Sequence, residues 1–304
     1  MIINWFPGHM TKALRTMQKE IKIGSFVVSK KSPVFIVAEI GINHNGCVDL
    51  AKKMIDVAFS AGCHAVKFQK RTVEKVYTQE ELAMPRESVF GKTNGDLKRG
   101  LEFSMEQYEE IDEYCKKQGI MWFSSCWDEE SVDFIDKFNP PCYKIASASL
   151  TDDKLLKHTR SKGKPILLST GMSTLEQIEH AVNVLGKEDL LLYHCTSTYP
   201  TSYNEINLNA IEQLEERFDC LVGYSGHEKG FVPSIISVVK GAVSVERHIT
   251  TDRTLWGSDQ AASLEPAGIH KLVRDIKIAK ESLGDGKKVV YESEKPIIKK
   301  LRKV

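Results

Sequence analysis

From Val34 onward the chain alternates between two hydrophobic patterns. The first consists of short, nearly continuous apolar runs, which predict buried strands. These runs are FIVAEIG (35–41), AVKFQK (65–70), MWFSSCW (121–127), CYKIAS (142–147), PILLSTG (165–171), LLLYHCT (190–196), CLVGYSGH (220–227) and AVSVERHIT (242–250). The second has apolar residues at three- and four-residue spacing and predicts amphipathic helices. Clear examples are 50–62, 105–119, 175–186, 208–218 and 266–284.

Eight strands that alternate with helices over about 250 residues predict a closed (β/α)8 barrel in a single domain. A doubly wound open sheet is the alternative, but it usually opens with a GxGxxG turn, whereas the first turn here is GINHNG (41–46). We therefore expect a barrel at 22–284, preceded by a short extension at 1–21 and followed by a basic tail at 285–304. The stretch 71–103, after the second strand, is expected to be a lid or a dimer arm.

The first residues follow neither pattern. NWFPGHMTKALRTMQKE (4–20) resembles the start of a circularly permuted ribosome-assembly GTPase. That family needs a phosphate loop of the form GxxxxGK[ST], which occurs nowhere in this chain. We interpret 1–21 as a leader or fusion segment, and a ribosome-binding arm remains the alternative.

Composition and charge exclude several classes of function. With 42 Lys and Arg residues against 41 Asp and Glu, the formal charge is +1, so there is no strong field for nucleic acid or an anionic membrane. No apolar run approaches the roughly 20 residues of a spanning helix, and no secretory signal is present. The seven cysteines are scattered without a CxxC pair, which favours reduced thiols in the cytoplasm.

Two of the predicted strands carry lysines. Lys67 and Gln69 lie on the second strand, and Lys144 and Ser147 lie at the end of YKIASA (143–148). A lysine on a buried strand of an α/β sheet suggests a bound anion, most simply phosphate together with a carboxylate. The alternative is that each lysine reaches solvent or pairs with a core carboxylate.

Active sites of such barrels lie at the carboxyl ends of the strands, and those ends are rich in polar residues here. Hydroxyl groups follow several of them, at Ser169, Ser197 and Ser225 among others. His227 and His248 end two neighbouring strands, and two imidazoles with nearby oxygen donors suit a divalent metal that keeps positions for water and substrate. Isolated histidines are also common as core or surface residues, so spacing alone does not decide.

The motifs at these strand ends resemble, in order, those of the sialic acid synthase family. That family includes the legionaminic and pseudaminic acid synthases and a spore-coat polysaccharide enzyme. The resemblance covers roughly 22–284. It is carried by AEIGINHNG (38–46), VKFQ (66–69), YKIAS (143–147), LSTGM (168–172), HCTSTYP (194–200), YSGH (224–227), ERHIT (246–250) and SLEP (263–266).

The resemblance implies a cytoplasmic, homodimeric transferase that condenses phosphoenolpyruvate with an aldose, such as N-acetylmannosamine or a related acylamino hexose. The products are a sialic-type nonulosonic acid and phosphate, released by C–O cleavage. The implied cofactor is Mn²⁺ or Mg²⁺, bound by His227 and His248. The implied phosphoenolpyruvate ligands are Lys67, Lys144, Ser147, Ser169 and Ser225. Residues assigned to the sugar or the reacting centre are Glu39, Tyr199, Glu246 and Asp259, and Asn43, Gln69 and Ser197 are assigned to substrate binding.

Four departures from the family pattern bear on the acceptor sugar. Sialic acid synthases continue into a C-terminal antifreeze-like domain, and this sequence stops just after EKP (294–296), where that linker begins. Ser197 replaces a common asparagine, GSDQ (257–260) replaces a more usual GPD, and Gly226 stands where an acidic residue is frequent. All are expected on the acceptor side. Two other interpretations remain open, namely a Schiff-base aldolase that uses Lys144 or Lys67 and a non-catalytic sugar-binding protein.

Overall fold

The computed structural model describes residues 19–303. Its strands are β1 (Glu20–Ile23), β2 (Phe26–Ser29), β3 (Phe35–Gly41), β4 (Ala65–Lys70), β5 (Pro85–Ser88), β6 (Gly91–Thr93), β7 (Met121–Cys126), β8 (Tyr143–Ile145), β9 (Ile166–Ser169), β10 (Leu190–His194), β11 (Leu221–Gly226) and β12 (Ser244–His248). Eight of them, β3, β4 and β7 to β12, pair in parallel and close on themselves when β12 meets β3. The predicted eight-stranded barrel is confirmed.

Helices, two of them after the last strand, follow the barrel strands along the chain. They are α1 (Val48–Ala61), α2 (Val73–Val76), α3 (Gln79–Ala83), α4 (Asn94–Leu101), α5 (Met105–Gln118), α6 (Glu129–Asp136), α7 (Asp153–Ser161), α8 (Leu175–Leu185), α9 (Ala210–Phe218), α10 (Val232–Val239), α11 (Pro266–Ser282) and α12 (Lys295–Leu301). Local chemistry sets their ends. Ser104 and Gln107 form a capping box at the start of α5, and Gly119 ends that helix with a φ of 78°, a left-handed conformation that glycine adopts without strain.

The sequences of the barrel strands are continuous apolar runs because both faces of each strand are buried. All seven residues of β3 are buried, and so are all six of β11. Apolar side chains such as Ile36, Val66 and Leu168 pack outward against the helices. Others, including Phe35, Leu167 and Leu191, fill the interior towards the amino ends of the strands. The interior is therefore packed below, and its polar groups collect at the opposite end.

A hairpin that the hydrophobic pattern did not predict adds to this inner core. Strands β1 and β2 pair in antiparallel fashion, and Ile21, Ile23 and Val28 pack into the same cluster as Phe35. Gly24 has a φ of 57°, and a Cβ there would meet Met121 Sδ at 2.7 Å, so the turn requires glycine. Because β1 begins at Glu20, we propose this residue as the start of the barrel unit. Within segment 1–21, residues 1–18 lie outside the described residues.

The insertion after β4 contains α2, α3, the β5–β6 hairpin and α4. Its role as a lid or a dimer arm stays a prediction. Across residues 19–303, none of the helices is both long enough and apolar enough to span a membrane.

Candidate active site

A cavity of about 190 Å³ opens among the carboxyl ends of the barrel strands. Most of the side chains that the sequence singled out line it. The lining consists of Glu39, Lys67, Gln69, Ser125, Trp127, Lys144, Ala146, Ser147, Ala148, Ser169, Met172, Ser197, Tyr199, Ser225, His227, Glu246 and His248. A larger groove of about 620 Å³ beside α10 shares none of these residues and is mainly apolar. The ionisable groups therefore favour the smaller cavity as the chemical site.

On the β3 and β4 side, Lys67 is the central cation. Its Nζ lies 2.8 Å from Glu39 Oε2 and donates to Ser125 Oγ at 2.7 Å. Burial opposes its charge, but the carboxylates of Glu246 and Glu39 raise the pKa of Lys67. Burial raises the pKa of Glu39 to about 7, against the opposing effect of Lys67. This half of the site thus holds a fixed ammonium beside a carboxyl that can exchange a proton near neutrality.

Lys144 and Glu246 occupy the middle of the cavity. Lys144 Nζ donates to Ser169 Oγ at 2.5 Å and lies 3.9 Å from Glu246 Oε1, which also accepts a hydrogen bond from Ser225 Oγ at 3.1 Å. Burial lowers the pKa of Lys144, although Glu246 opposes that effect. Glu246 Oε2 is buried and has no hydrogen-bond partner among residues 19–303. A buried oxygen of this kind, next to two ammonium groups, marks a place where a ligand donor fits.

Hydroxyl groups converge beside Lys144 because glycine leaves them room. A Cβ on Gly171 would meet Ser197 Oγ at 2.3 Å and Ser147 Oγ at 2.9 Å. The Gly171 amide donates to Ser147 Oγ at 3.1 Å. Two lysines and several hydroxyls that line the same cavity suit the oxygens of a phosphate and a carboxylate.

The two candidate metal ligands lie side by side at the carboxyl ends of the neighbouring strands β11 and β12, with their ring centroids 5.7 Å apart. His227 Nδ1 donates to the Thr196 carbonyl at 2.7 Å, which leaves a lone pair on Nε2, and this nitrogen accepts from the Tyr199 hydroxyl at 3.1 Å. Burial lowers the pKa of His227 to about 4 and also lowers that of His248. Both imidazoles are therefore neutral at pH 7, the form that binds metals.

These residues fit a divalent ion through two protein nitrogens. Among the described residues, His248 Nδ1 is buried without a hydrogen-bond partner, whereas a ligand at His227 Nε2 would replace the Tyr199 hydroxyl. Within the described part of the chain, no group of three or more His, Cys, Asp or Glu side chains is arranged to hold a metal. An ion here would keep several positions for water or substrate oxygens.

Two predicted site residues lie outside the cavity lining. Asn43 is buried and donates from its amide to the Ile249 carbonyl and to Ser263 Oγ, both at 2.8 Å, so it braces the loop after β12. Asp259 Oδ2 lies 3.9 Å from His248 Nδ1, at the edge of the site. Their assignment to substrate binding stays a prediction, with Asn43 placed as a support for the loop that carries Asp259.

Sequence reasoning did not single out Trp127 or Arg71. Trp127 lines the cavity directly after β7, and the Arg71 guanidinium stacks on its ring at 4.3 Å. Its indole Nε1 is buried, and none of the described residues accepts a hydrogen bond from it. Arg71 Nη2 also donates to Gln69 Oε1, and Gln69 Nε2 donates to Glu39 Oε1 at 3.1 Å. The signal that could have found Trp127 was its position at a strand end, shared with the serines and histidines.

Comparison with known proteins places these features in one group of enzymes. The model of the NeuB family matches residues 54–288. The human N-acetylneuraminate-9-phosphate synthase is 39% identical over 282 residues, which cover 91% of this chain and 78% of that protein. The N,N'-diacetyllegionaminic acid synthase of Campylobacter jejuni is 36% identical over 276 residues, which cover 88% and 83% respectively.

A solved structure agrees with the sequence relatives. The N-acetylneuraminic acid synthetase of Leptospira borgpetersenii, determined with citrate, superimposes with a TM-score of 0.83 at 31% identity. The match covers 94% of this chain and 97% of that one. Sequence and fold therefore point to the same relatives.

Proposed function

Because this chain belongs to the NeuB family, a group of nonulosonic acid synthases, we propose that it condenses phosphoenolpyruvate with an acylamino aldose. The products are a nonulosonic acid and inorganic phosphate. The observation that carries the proposal is the shared cavity, in which Lys67 and Lys144 face His227 and His248 at the same mouth of the barrel. An anionic enol ester and an aldehyde require this pairing of a cationic pocket with an electrophile-activating centre.

In the proposed reaction, C3 of phosphoenolpyruvate attacks the aldehyde carbon of the open-chain sugar. Water then adds at C2, where positive charge develops, and the C–O bond to phosphate breaks. Lys67, Lys144 and the hydroxyls of Ser147, Ser169 and Ser225 hold the phosphate and carboxylate oxygens in fixed positions, so they stabilise charge without reorganising. Glu39 acts as the general acid and base of the reaction, since its carboxyl has a pKa of about 7 beside Lys67.

Mn²⁺ or Mg²⁺, held by His227 and His248, would act as a Lewis acid towards the aldehyde oxygen. Tyr199 keeps His227 oriented through its hydrogen bond to Nε2 until that nitrogen takes a ligand. Trp127 offers a substrate oxygen its indole N–H, which donates to none of the residues that the structure describes. We place the enzyme in the cytoplasm as a homodimer that acts on small-molecule substrates.

A phosphorylated acceptor is the second candidate substrate, and a neighbouring cavity favours it. This cavity of about 830 Å³ is lined by Arg86 and Lys98, with Ser258 at one edge and the carboxylate of Glu87 also present. Ser258 Oγ donates to Asp259 Oδ1 at 2.6 Å, so the cavity adjoins the site. Phosphoenolpyruvate supplies three carbons, so a 6-phosphate on the hexose becomes the 9-phosphate that the human relative's name describes.

Phosphate release from phosphoenolpyruvate tests the proposal directly. The full chain is incubated with N-acetylmannosamine, its 6-phosphate and diacetamido hexoses, each with Mn²⁺, with Mg²⁺ and after chelation. We expect aldose-dependent release that chelation abolishes, and bridging ¹⁸O in phosphoenolpyruvate should appear in the phosphate. Release without an aldose, or label retained in the keto acid, would contradict the proposed reaction. Arg86→Ala should raise KM for the 6-phosphate alone.

A further inference from the structure

Each candidate metal ligand is adjacent in sequence to one member of a buried ion pair. Glu228 follows His227, Arg247 precedes His248, and Arg247 Nη1 lies 2.7 Å from Glu228 Oε1 with both side chains fully buried. Successive residues of a strand point to opposite faces, so His248 faces the cavity while Arg247 points outward beneath α10. The ion pair therefore lies directly behind the two imidazoles.

Neutral groups complete the network around this pair. The Tyr224 hydroxyl donates to Glu228 Oε2 at 2.8 Å, and Ser234 Oγ donates to Glu228 Oε1 at 3.0 Å. Arg247 also donates to backbone carbonyls, from Nη1 to Gly230 and from Nη2 to Glu228, both at 2.7 Å. The guanidinium on β12 thus holds the loop that follows His227. Residues 224–234 and 247 act as one unit, which we call the clamp.

The same loop is held from the opposite side. His227 Nδ1 donates to the Thr196 carbonyl, and the Thr201 amide donates to the His227 carbonyl at 3.1 Å. The position of the His227 ring relative to β12 therefore depends on two sets of contacts. We propose that the Arg247–Glu228 pair is a positioning device that sets the spacing of the two imidazoles, and this inference rests on the proposed function of those rings as metal ligands.

Gly226 leaves room for the side chains of the clamp. Its backbone is not in the left-handed region, so another residue could adopt the conformation. However, a Cβ there would meet Glu228 Oε2 at 2.6 Å, Tyr224 Cε1 at 2.7 Å and Arg247 Cδ at 2.9 Å. The space that an acidic side chain at 226 would enter is thus filled by the Glu228 carboxylate.

This geometry corrects one expectation from the sequence. Gly226 was expected to affect the acceptor side of the site, but a side chain there would point to Arg247 and away from the cavity. The glycine is a consequence of the clamp. It does not bear on the choice of sugar.

Relocating the carboxylate tests the proposal. Glu228→Ser removes the partner of Arg247, and Gly226→Asp combined with Glu228→Ser returns a carboxylate from the other position. The readouts are the Mn²⁺ affinity of the full chain by titration calorimetry and the ring ¹⁵N signals of His227 and His248 recorded without metal. We expect Glu228→Ser to weaken Mn²⁺ binding by about 10- to 100-fold and to shift or broaden the ring signals, and the double variant to restore both.

Controls separate positioning from general stability. Asp112→Asn removes a carboxylate that accepts from Trp122 Nε1 at 2.9 Å, far from the clamp in sequence and outside the cavity lining, and it should leave Mn²⁺ affinity unchanged. If Glu228→Ser does not fold, Arg247→Lys and Arg247→Met are compared instead. Arg247→Lys keeps the positive charge and should weaken Mn²⁺ binding less than Arg247→Met does. The proposal is overturned if the ring signals and Mn²⁺ affinity stay unchanged in soluble Glu228→Ser, or if Arg247→Met weakens Mn²⁺ binding no more than Arg247→Lys does. If the unaltered chain takes up no Mn²⁺, the proposed metal fails, and the ring signals alone then decide on the clamp.

Discussion

Lys67 Nζ lies 2.8 Å from Glu39 Oε2, in a pair whose two side chains are almost completely buried on neighbouring strands of the barrel. Burial disfavours the charged form of both side chains. The charge on Lys67 is better supported, because a second carboxylate, that of Glu246, lies 3.8 Å from its Nζ. Lys67 therefore keeps its proton, and Glu39 is the member of the pair that titrates. This asymmetry assigns the fixed charge to one residue and the mobile proton to the other.

Glu39→Gln should remove a titration from the pH profile. The pKa of Glu39 is raised from 4.5 to about 7, so kcat should show a limb near pH 7 that is absent in the variant, together with a loss of about 10²- to 10⁴-fold in kcat. Folding takes up a proton at this carboxyl between pH 4.5 and about 7, so the free energy of unfolding should fall as pH rises through that window, and less so in the variant. Glu212→Gln, on the exterior, is the control. An unchanged limb in Glu39→Gln would assign the proton transfer elsewhere.

Lys144→Met should separate the condensation from a Schiff-base aldolase. Lys144 donates to Ser169 and faces Glu246, and we expect its loss to raise KM for phosphoenolpyruvate and to lower kcat by about 10²- to 10³-fold, since it stabilises charge on the departing phosphate. Borohydride added with pyruvate should not trap a covalent adduct on the unaltered chain, as shown by intact mass. A trapped adduct that Lys144→Met abolishes, with activity indifferent to chelator, would favour the aldolase.

The parts of the fold that the sequence predicted are those with a repeated local signal. The runs 35–41 and 65–70 coincide with β3 and β4, because strands buried on both faces must be continuously apolar. The β1–β2 hairpin escaped notice because each strand has four residues and EIKI alternates charged and apolar positions. Its partner is the floor of the barrel, a contact that no local pattern records.

The candidate site also has parts that the sequence predicted and parts that it did not. Lys67, Lys144, His227 and His248 were predictable because the carboxyl ends of parallel barrel strands must converge. The direction in which the Asn43 side chain points was not predictable, because its amide donates to Ile249 and Ser263, more than 200 residues away in sequence. Neither the pairing of Arg247 with Glu228 nor the lowered pKa of Lys144 follows from spacing, since both depend on which groups share a buried volume.

Ile23→Ala tests the hairpin as part of the folding unit. Ile23 is completely buried and packs with Phe35 and Leu167 at the amino end of the barrel. Its truncation should lower the free energy of unfolding by about 2–5 kcal/mol, measured by urea denaturation, and leave the KM values unchanged because the site lies at the opposite end. Val27→Ala, at a half-exposed position of β2, is the matched control and should cost less than about 1 kcal/mol. Equal stability of Ile23→Ala and the unaltered chain would show that the hairpin detaches.

His248→Ala should abolish turnover while the chain stays folded. The ring reaches the cavity, and no described residue hydrogen-bonds its Nδ1, which lies 3.9 Å from Asp259 Oδ2. Its ring packs against those of Tyr199 and His227. We therefore expect phosphate release to fall by at least about 10³-fold and Mn²⁺ affinity to fall with it, with a small change in Tm. His158→Ala is the control, because this exposed histidine pairs with Asp133 on the outer surface and should retain activity. Turnover retained in soluble His248→Ala would remove His248 from the proposed metal site, and with it the reason for placing the aldehyde between the two imidazoles.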